Sequence, residues 1–211
     1  MDFTMKEVKL ARNKRIRFGI LPGHFATNHS HVSCYIDVSE IKNSFKAARE
    51  TAKELAGMLH GTPIDAILCV EGTRLIGAFL AEELSSGIHG MSAGNDINVI
   101  TPEFGIDNQI ILRDNIQPMI RDKQVLILVS SVSSGKSVRK TVNCIRYYGG
   151  KPVAACALFS DIPEDEGVKI YSIFGADDLP NYTSHRPSEC PMCAEGRKID
   201  ALVNSFGYSR L

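Results

Sequence analysis

The sequence predicts an α/β fold built on a mostly parallel sheet with helices on both faces. Short aliphatic or β-branched runs alternate with helical stretches, a pattern that suits strands covered on both sides. The clearest unit is Gln124 to Gly150, QVLILVSSVSSGKSVRKTVNCIRYYGG, where an apolar run leads through a Ser/Gly loop into an amphipathic helix. The 211 residues, 44% hydrophobic and 23% charged, suit one soluble domain that buries roughly 70% of its unfolded surface.

The first elements are read from charge and periodicity. Lys6, Lys9, Arg12, Lys14, Arg15 and Arg17 form a basic cluster diluted by Asp2 and Glu7. It reads as a solvated strand or helix face, with an anionic ligand, a second subunit or nucleic acid as the alternatives. Phe45, Ala48, Ala52, Leu55, Ala56 and Leu59 recur at helical spacing until Gly61 and Pro63 stop them. Asp65 to Val70 reads as a short buried strand, Glu71-Gly72-Thr73-Arg74 as a turn, and Leu75 to Leu84 as a helix ending near Gly87.

Ile97 to Thr101 is the next strand, and 102–123 is irregular with a β-run at Gln109 to Leu112. Val125 to Val129 is a strand. The helix from Lys136 carries Val138, Val142, Ile145 and Tyr148 on one face and stops at Gly149-Gly150. Strands follow at Val153 to Phe159 and Val168 to Phe174. From Asp177 the tail is polar and loop-rich until Leu202, Val203 and Phe206.

Composition narrows the function classes. Formal net charge is zero, which argues against nucleic acid as a dominant partner. No apolar run has membrane-spanning length and no signal peptide is evident, so the cytoplasm is the expected location. Of six cysteines, only Cys190 and Cys193 have ligand-like spacing. With His185 nearby they suggest zinc, which needs a fourth ligand; a reduced pair stabilising a tail turn fits the same residues.

The Ser/Gly loop is a candidate phosphate site, since backbone N–H groups and a helix N-terminus converge there. Gly135-Lys136-Ser137 matches half of a P-loop, but Ser130 stands where that motif needs its first glycine, and Asp161 is an isolated acid. A plain βα unit with a serine-rich turn is the simplest alternative.

Several segments in register carry a resemblance. Val125 to Val129 followed by Val132 to Ser137, Val70 to Ala78, and Gly23-His24-Phe25 with His29 to Asp37 together resemble type I phosphoribosyltransferases, in particular the orotate branch. A Cys-Pro-x-Cys near the C-terminus also recurs in a subset of those enzymes. The resemblance implies a type I phosphoribosyltransferase fold over 1–211, with a small hood from about 1–40 and the C-terminal tail. It also implies a homodimer that binds phosphoribosyl pyrophosphate (PRPP) or a nucleotide, with Mg²⁺ if it is catalytic.

Its residue roles follow position by position. Ser133, Ser134, Gly135, Lys136 and Ser137 would hold the 5′-phosphate, and Ser130 and Ser131 the ribose. Glu71, Gly72, Thr73 and Arg74 would line the pyrophosphate, a local surface ion pair of Glu71 with Arg74 being the alternative, and Phe25, His31, Ser33 and Tyr35 the base. Cys190 and Cys193 are the metal candidates. Three features depart from the family: serines replace the two acids after the strand, no lysine follows Asp37-Val38-Ser39, and Pro102 to Asn115, where the resemblance implies a basic mobile loop that closes over pyrophosphate, carries Arg113 as its one base, with Glu103, Asp107 and Asp114.

Overall fold

A computed structural model describes residues 4–86, 92, 94–106, 109–179 and 181–211 and arranges them around two six-stranded sheets. The chain begins with β1 (Lys6–Leu10), β2 (Asn13–Ala26) and β3 (His31–Asp37), then helices α1 (Ser39–Asn43) and α2 (Phe45–Met58). Next come β4 (Ala66–Cys69), α3 (Arg74–Ser85), β5 (Asn98–Ile100), the short pair β6 (Glu103–Phe104) and β7 (Ile110–Ile111), β8 (Gln124–Val132) and α4 (Lys136–Tyr147). The remainder holds β9 (Lys151–Ser160), β10 (Glu164–Asp165), β11 (Val168–Gly175), β12 (Ser184–His185), α5 (Pro191–Ala194), β13 (Ala201–Asn204) and β14 (Gly207–Arg210).

The core sheet runs β11-β9-β8-β4-β5, all parallel, with β10 antiparallel on the β11 edge. Strand alternation sends side chains to two separate cores. Leu126 and Leu128 of β8 join Ile67 and Cys69 of β4 and the apolar sides of α2 and α3. Val125, Ile127 and Val129 face the opposite way, onto Val138, Val142 and Ile145 of α4. Both faces are covered, so these strands read as continuous apolar runs.

The helices fit this arrangement through small residues and local caps. Ser44 accepts the Ala47 N–H at the start of α2, and Ala48, Ala52 and Ala56 are fully buried. Gly149, at φ 79°, stops α4. The chain passes from β4 out to β5 and then back across to β8 on the other side. That reversal between neighbouring strands is where open α/β sheets form a ligand crevice.

The second sheet is the hood, ordered β12-β3-β2-β13-β14 with β1 paired to β2. Its core is Leu21, Phe25, Val32, Ala201 and Val203. The basic cluster lies on the β1–β2 hairpin, where acids meet its arginines: Arg17 pairs with Glu7 and Glu40, Arg12 with Glu54, and Arg15 with Glu50. Such exposed pairs are screened by solvent and contribute little to stability.

Three expectations are revised. β8 runs to Val132, because Ser131 and Val132 still pair with Phe159 and Ser160 of β9; Ser130 and Ser131 therefore end a strand rather than open a loop. The β-run near Gln109 is a two-residue strand paired to β6, while α3 ends at Ser85 with Ser86 as its cap, in agreement with the expected stop near Gly87, itself outside the described residues. The tail contains the hairpin β13–β14, whose Ala201 and Val203 are buried while Leu202 and Phe206 are exposed.

A Cβ on Gly150 would lie 2.9 Å from the Ile120 carbonyl oxygen and 2.8 Å from an Ile145 methyl group. Gly150→Ala is expected to destabilise by about 1–3 kcal/mol. Urea unfolding should show a lower midpoint at unchanged slope; an unchanged midpoint would mean that this helix–strand junction has room to relax.

Candidate functional site

β4 ends at Cys69, opposite Leu128, while β8 continues to Val132, so the turn after β4 lies alongside the last residues of β8. Thr73, fully buried, locks this arrangement. Its hydroxyl donates to the Val70 carbonyl at 2.8 Å and lies 2.9 Å from the Leu128 carbonyl. Thr73 is therefore a structural tie, and its hydroxyl is not free to line a pyrophosphate.

Glu71 and Gly72 both adopt left-handed backbone, at φ 59° and 78°. For a non-glycine residue this is uncommon and costs on the order of 1 kcal/mol or more. The turn carries the Glu71 carboxylate to the end of β8. Its Oε2 accepts the Ser130 hydroxyl at 2.7 Å, the Ser130 N–H at 3.1 Å and the Ser131 N–H at 3.4 Å. Its Oε1 accepts the Ser137 hydroxyl at 3.0 Å. Sequence reasoning pairs Glu71 with Arg74 at the surface; the structure instead gives Glu71 four donors from the serine segment and leaves Arg74 exposed.

The loop beyond β8 turns on glycine. Gly135 sits at φ 74° as the N-cap of α4, with no side chain bonding the first N–H groups of the helix. A Cβ there would collide with Asp165, so only glycine fits. Lys136 is exposed beside the loop. Burial first, and then the charges of Lys136 and Lys140, hold His29 below its ordinary pKa, which places the β2–β3 turn near the start of α4. Tyr182, from the tail, donates its hydroxyl to Ser133 Oγ at 3.0 Å.

Lys42, on α1, is a basic residue at this site that the sequence pattern does not reveal. Its ammonium reaches the Glu71 carbonyl at 3.3 Å and the Ser205 carbonyl at 2.7 Å. It joins the turn after β4 to the C-terminal hairpin, and burial lowers its pKa. The resemblance places a lysine directly after β3; here one turn of helix carries it further along the chain.

The expected base-binding set separates. Phe25 is fully buried in the hood core, where its ring has no face left for a base. Ser33 uses its hydroxyl on the tail, donating to Asn181 O at 2.9 Å and accepting Thr183 N–H at 2.9 Å. Tyr35 is half-buried against Phe25 and Tyr208. His31 turns to another cluster. In the acidic stretch 102–115, Arg113 is bound by Glu103 at 2.6 Å, while Asp107 lies outside the described residues.

That other cluster joins His24, His31, Cys190 and Cys193, whose ligating atoms all lie within 4.8 Å of one another. His24 Nε2 is 3.2 Å from His31 Nδ1 and 3.5 and 3.7 Å from the Cys190 and Cys193 sulfurs. His31 Nδ1 is 3.2 Å from the Cys193 sulfur. His185 pairs with His31 in the β12–β3 ladder but is not in this group. Burial, and then the His24 ring, hold the His31 pKa below its ordinary value.

Two predictions follow from these contacts. Burial pushes the Tyr182 hydroxyl from its ordinary 10 up to about 12. The protonated phenol is thus favoured by folding: its contribution is intact below pH 10 and is lost as pH rises through about 12. Alkaline unfolding should start later in Tyr182→Phe than in the parent once both are scaled to their neutral-pH stability. Glu71→Gln should tighten inorganic phosphate binding about tenfold, the ~1.4 kcal/mol separating charged from neutral acceptors. Calorimetry showing unchanged affinity would mean that Glu71 does not compete for these donors.

No protein-family model matches the chain. Its sequence is similar to curated orotate phosphoribosyltransferases over most of both lengths. The Carboxydothermus hydrogenoformans enzyme is 26% identical over 92% of this chain and 94% of its own. The Helicobacter pylori (strain Shi470) enzyme is 24% identical over 85% and 90%. Among solved structures, a phosphoribosyltransferase from Corynebacterium diphtheriae matches with TM-score 0.53 and 16% identity, covering 76% of this chain and 90% of that one. The Mycobacterium tuberculosis orotate phosphoribosyltransferase bound to PRPP matches with TM-score 0.51 and 15% identity, covering 69% and 82%. The parallel core sheet flanked by helices is that of the type I phosphoribosyltransferase fold, and the chain has that fold.

Proposed function

We propose that the chain binds PRPP or a nucleotide in the crevice between β4 and β8 and transfers the phosphoribosyl group to orotate or a related base. The observation that carries this is the Glu71 carboxylate, gathered by Ser130, Ser131 and Ser137 at the end of β8. Those donors already bind one anion. The neighbouring N–H groups of the Gly135 turn and α4 suit a second, the 5′-phosphate.

Breaking the bond between C1 of the sugar and pyrophosphate develops positive charge on the ribose. A nearby carboxylate stabilises that charge, and neutral serines do so weakly. We infer that Glu71, from the neighbouring loop, supplies the carboxylate that Ser130 and Ser131 lack. An acid at position 130 would lie against Glu71 and repel it, so serine there and glutamate at 71 are complementary choices. Lys42 and Arg74 are the cations that would face the departing pyrophosphate. Mg²⁺ suits this turn as a companion of the pyrophosphate, with Glu71 as the carboxylate on offer; bound there, it would neutralise charge on the leaving group.

A second function, regulatory binding without turnover, is favoured by one observation. The base in the 102–115 stretch is tied to Glu103 and so is not poised to close over pyrophosphate.

Conversion of orotate and PRPP with Mg²⁺, followed by loss of orotate absorbance, tests the transfer. Glu71→Gln and Ser130→Asp should each lower kcat by about tenfold or more, and the pair Glu71→Ser with Ser130→Asp should recover part of it. Tight nucleotide binding with no turnover would favour the regulatory function. Gly135→Asp should abolish binding of either ligand; retained binding would displace the site from this loop.

A further inference from the structure

We propose that His24, His31, Cys190 and Cys193 form a structural zinc site that clamps the C-terminal segment onto the hood. The inference is independent of the proposed transfer activity. It rests on geometry, burial and the donors around the four side chains.

Zinc bonds of about 2.0–2.1 Å to nitrogen and 2.3 Å to sulfur give tetrahedral ligand–ligand edges of about 3.3–3.8 Å. The nitrogen–nitrogen distance of 3.2 Å and the nitrogen–sulfur distances of 3.2, 3.5 and 3.7 Å fall on or close to that range. Two sulfurs and two imidazoles in a tetrahedral set select zinc among common divalent ions. A two-iron cluster would hold the histidines on one iron and the cysteines on the other, which separates nitrogen from sulfur further than is found. The space suits one ion.

The surroundings prepare the ligands. His24 Nδ1 lies 3.0 Å from the Arg197 carbonyl and 3.1 Å from the Lys198 carbonyl. Two acceptors fix the proton on Nδ1 and leave Nε2 as a bare lone pair aimed at the cluster, the outer-shell pattern of metal-bound histidine. The His24 backbone N–H donates to Asp200 at 2.7 Å, and the Asp200 N–H donates back to the His24 carbonyl at 2.7 Å. His24, His31 and Cys190 are buried and Cys193 lies at the surface, which gives the ion a route in.

The clamp has a reach beyond its own ligands. It joins β2 and the start of β3 to α5, and the flanking tail brings Tyr182 to Ser133 and the Ser205 carbonyl to Lys42. Metal binding thus supplies folding energy to the segment that borders the phosphate loop.

The test is metal content. Protein refolded under reducing conditions with zinc sulfate, then dialysed into metal-free buffer, should retain one zinc per chain by elemental analysis. Cobalt in its place should give thiolate-to-metal charge-transfer absorption. Cys193→Ser and His31→Ala should each lose the bound zinc, His31→Cys should keep it, and Cys34→Ser, outside the cluster, should keep it too. Chelation should lower the melting temperature of the parent and leave that of Cys193→Ser unchanged. No zinc above background in the refolded parent, or undiminished zinc in folded Cys193→Ser and His31→Ala, would overturn the assignment. The parent's stoichiometry and cobalt spectrum decide the matter even if those variants fail to fold.

Discussion

Parallel pairing of β4 with β8 is the constraint on which the rest of the site depends. The strands are not neighbours in sequence, yet their ladder brings two loops to one edge. Thr73 fastens the edge by bridging carbonyls of both strands. With that edge fixed, a carboxylate on one loop can meet serines on the other. The left-handed backbone at Glu71 is the cost of this meeting, and four accepted hydrogen bonds offset it.

Charge placement gives the crevice its chemical character. The Glu71 carboxylate is partly buried, and its direct partners are hydroxyls and N–H groups. The cations Lys42, Arg74 and Lys136 stand around this centre. Asp165, beneath Gly135, is matched by Arg139 at 2.9 Å. The negative group and the Gly135 turn thus occupy adjacent positions, joined through the Ser137 hydroxyl.

The hood joins the main core through apolar side chains of β1 and β2. Leu10, Ile16 and Phe18 lie in the cluster around α2, and the Phe18 ring is 4.4 Å from that of Phe174. The tail, by contrast, is attached largely by polar contacts. The hood core is five residues, small beside the two clusters that flank the main sheet. Tyr182, Ser33, Lys42 and the His/Cys group carry the attachment of the tail. Such contacts are specific in geometry and weak in number, which is the circumstance in which a metal clamp contributes most.

Much of the core was legible in the sequence. Continuous apolar runs at β4, β8, β9 and β11 and the spaced alanines of α2 encode strands and helices buried on defined faces. The Ser/Gly segment after Val132 reads as a strand-to-helix turn, and Gly135 takes left-handed backbone there at the start of α4. The sequence also marks Cys190 and Cys193 as a pair. What it could not give were partners distant in the chain. Glu71 reads locally as half of a pair with Arg74, and only the β4–β8 ladder turns it toward Ser130. Phe25 reads as a ligand contact, and only the folding of β13 against β2 buries it. His24 and His31 become companions of the two cysteines through a contact spanning most of the chain, and no local spacing encodes a contact of that range.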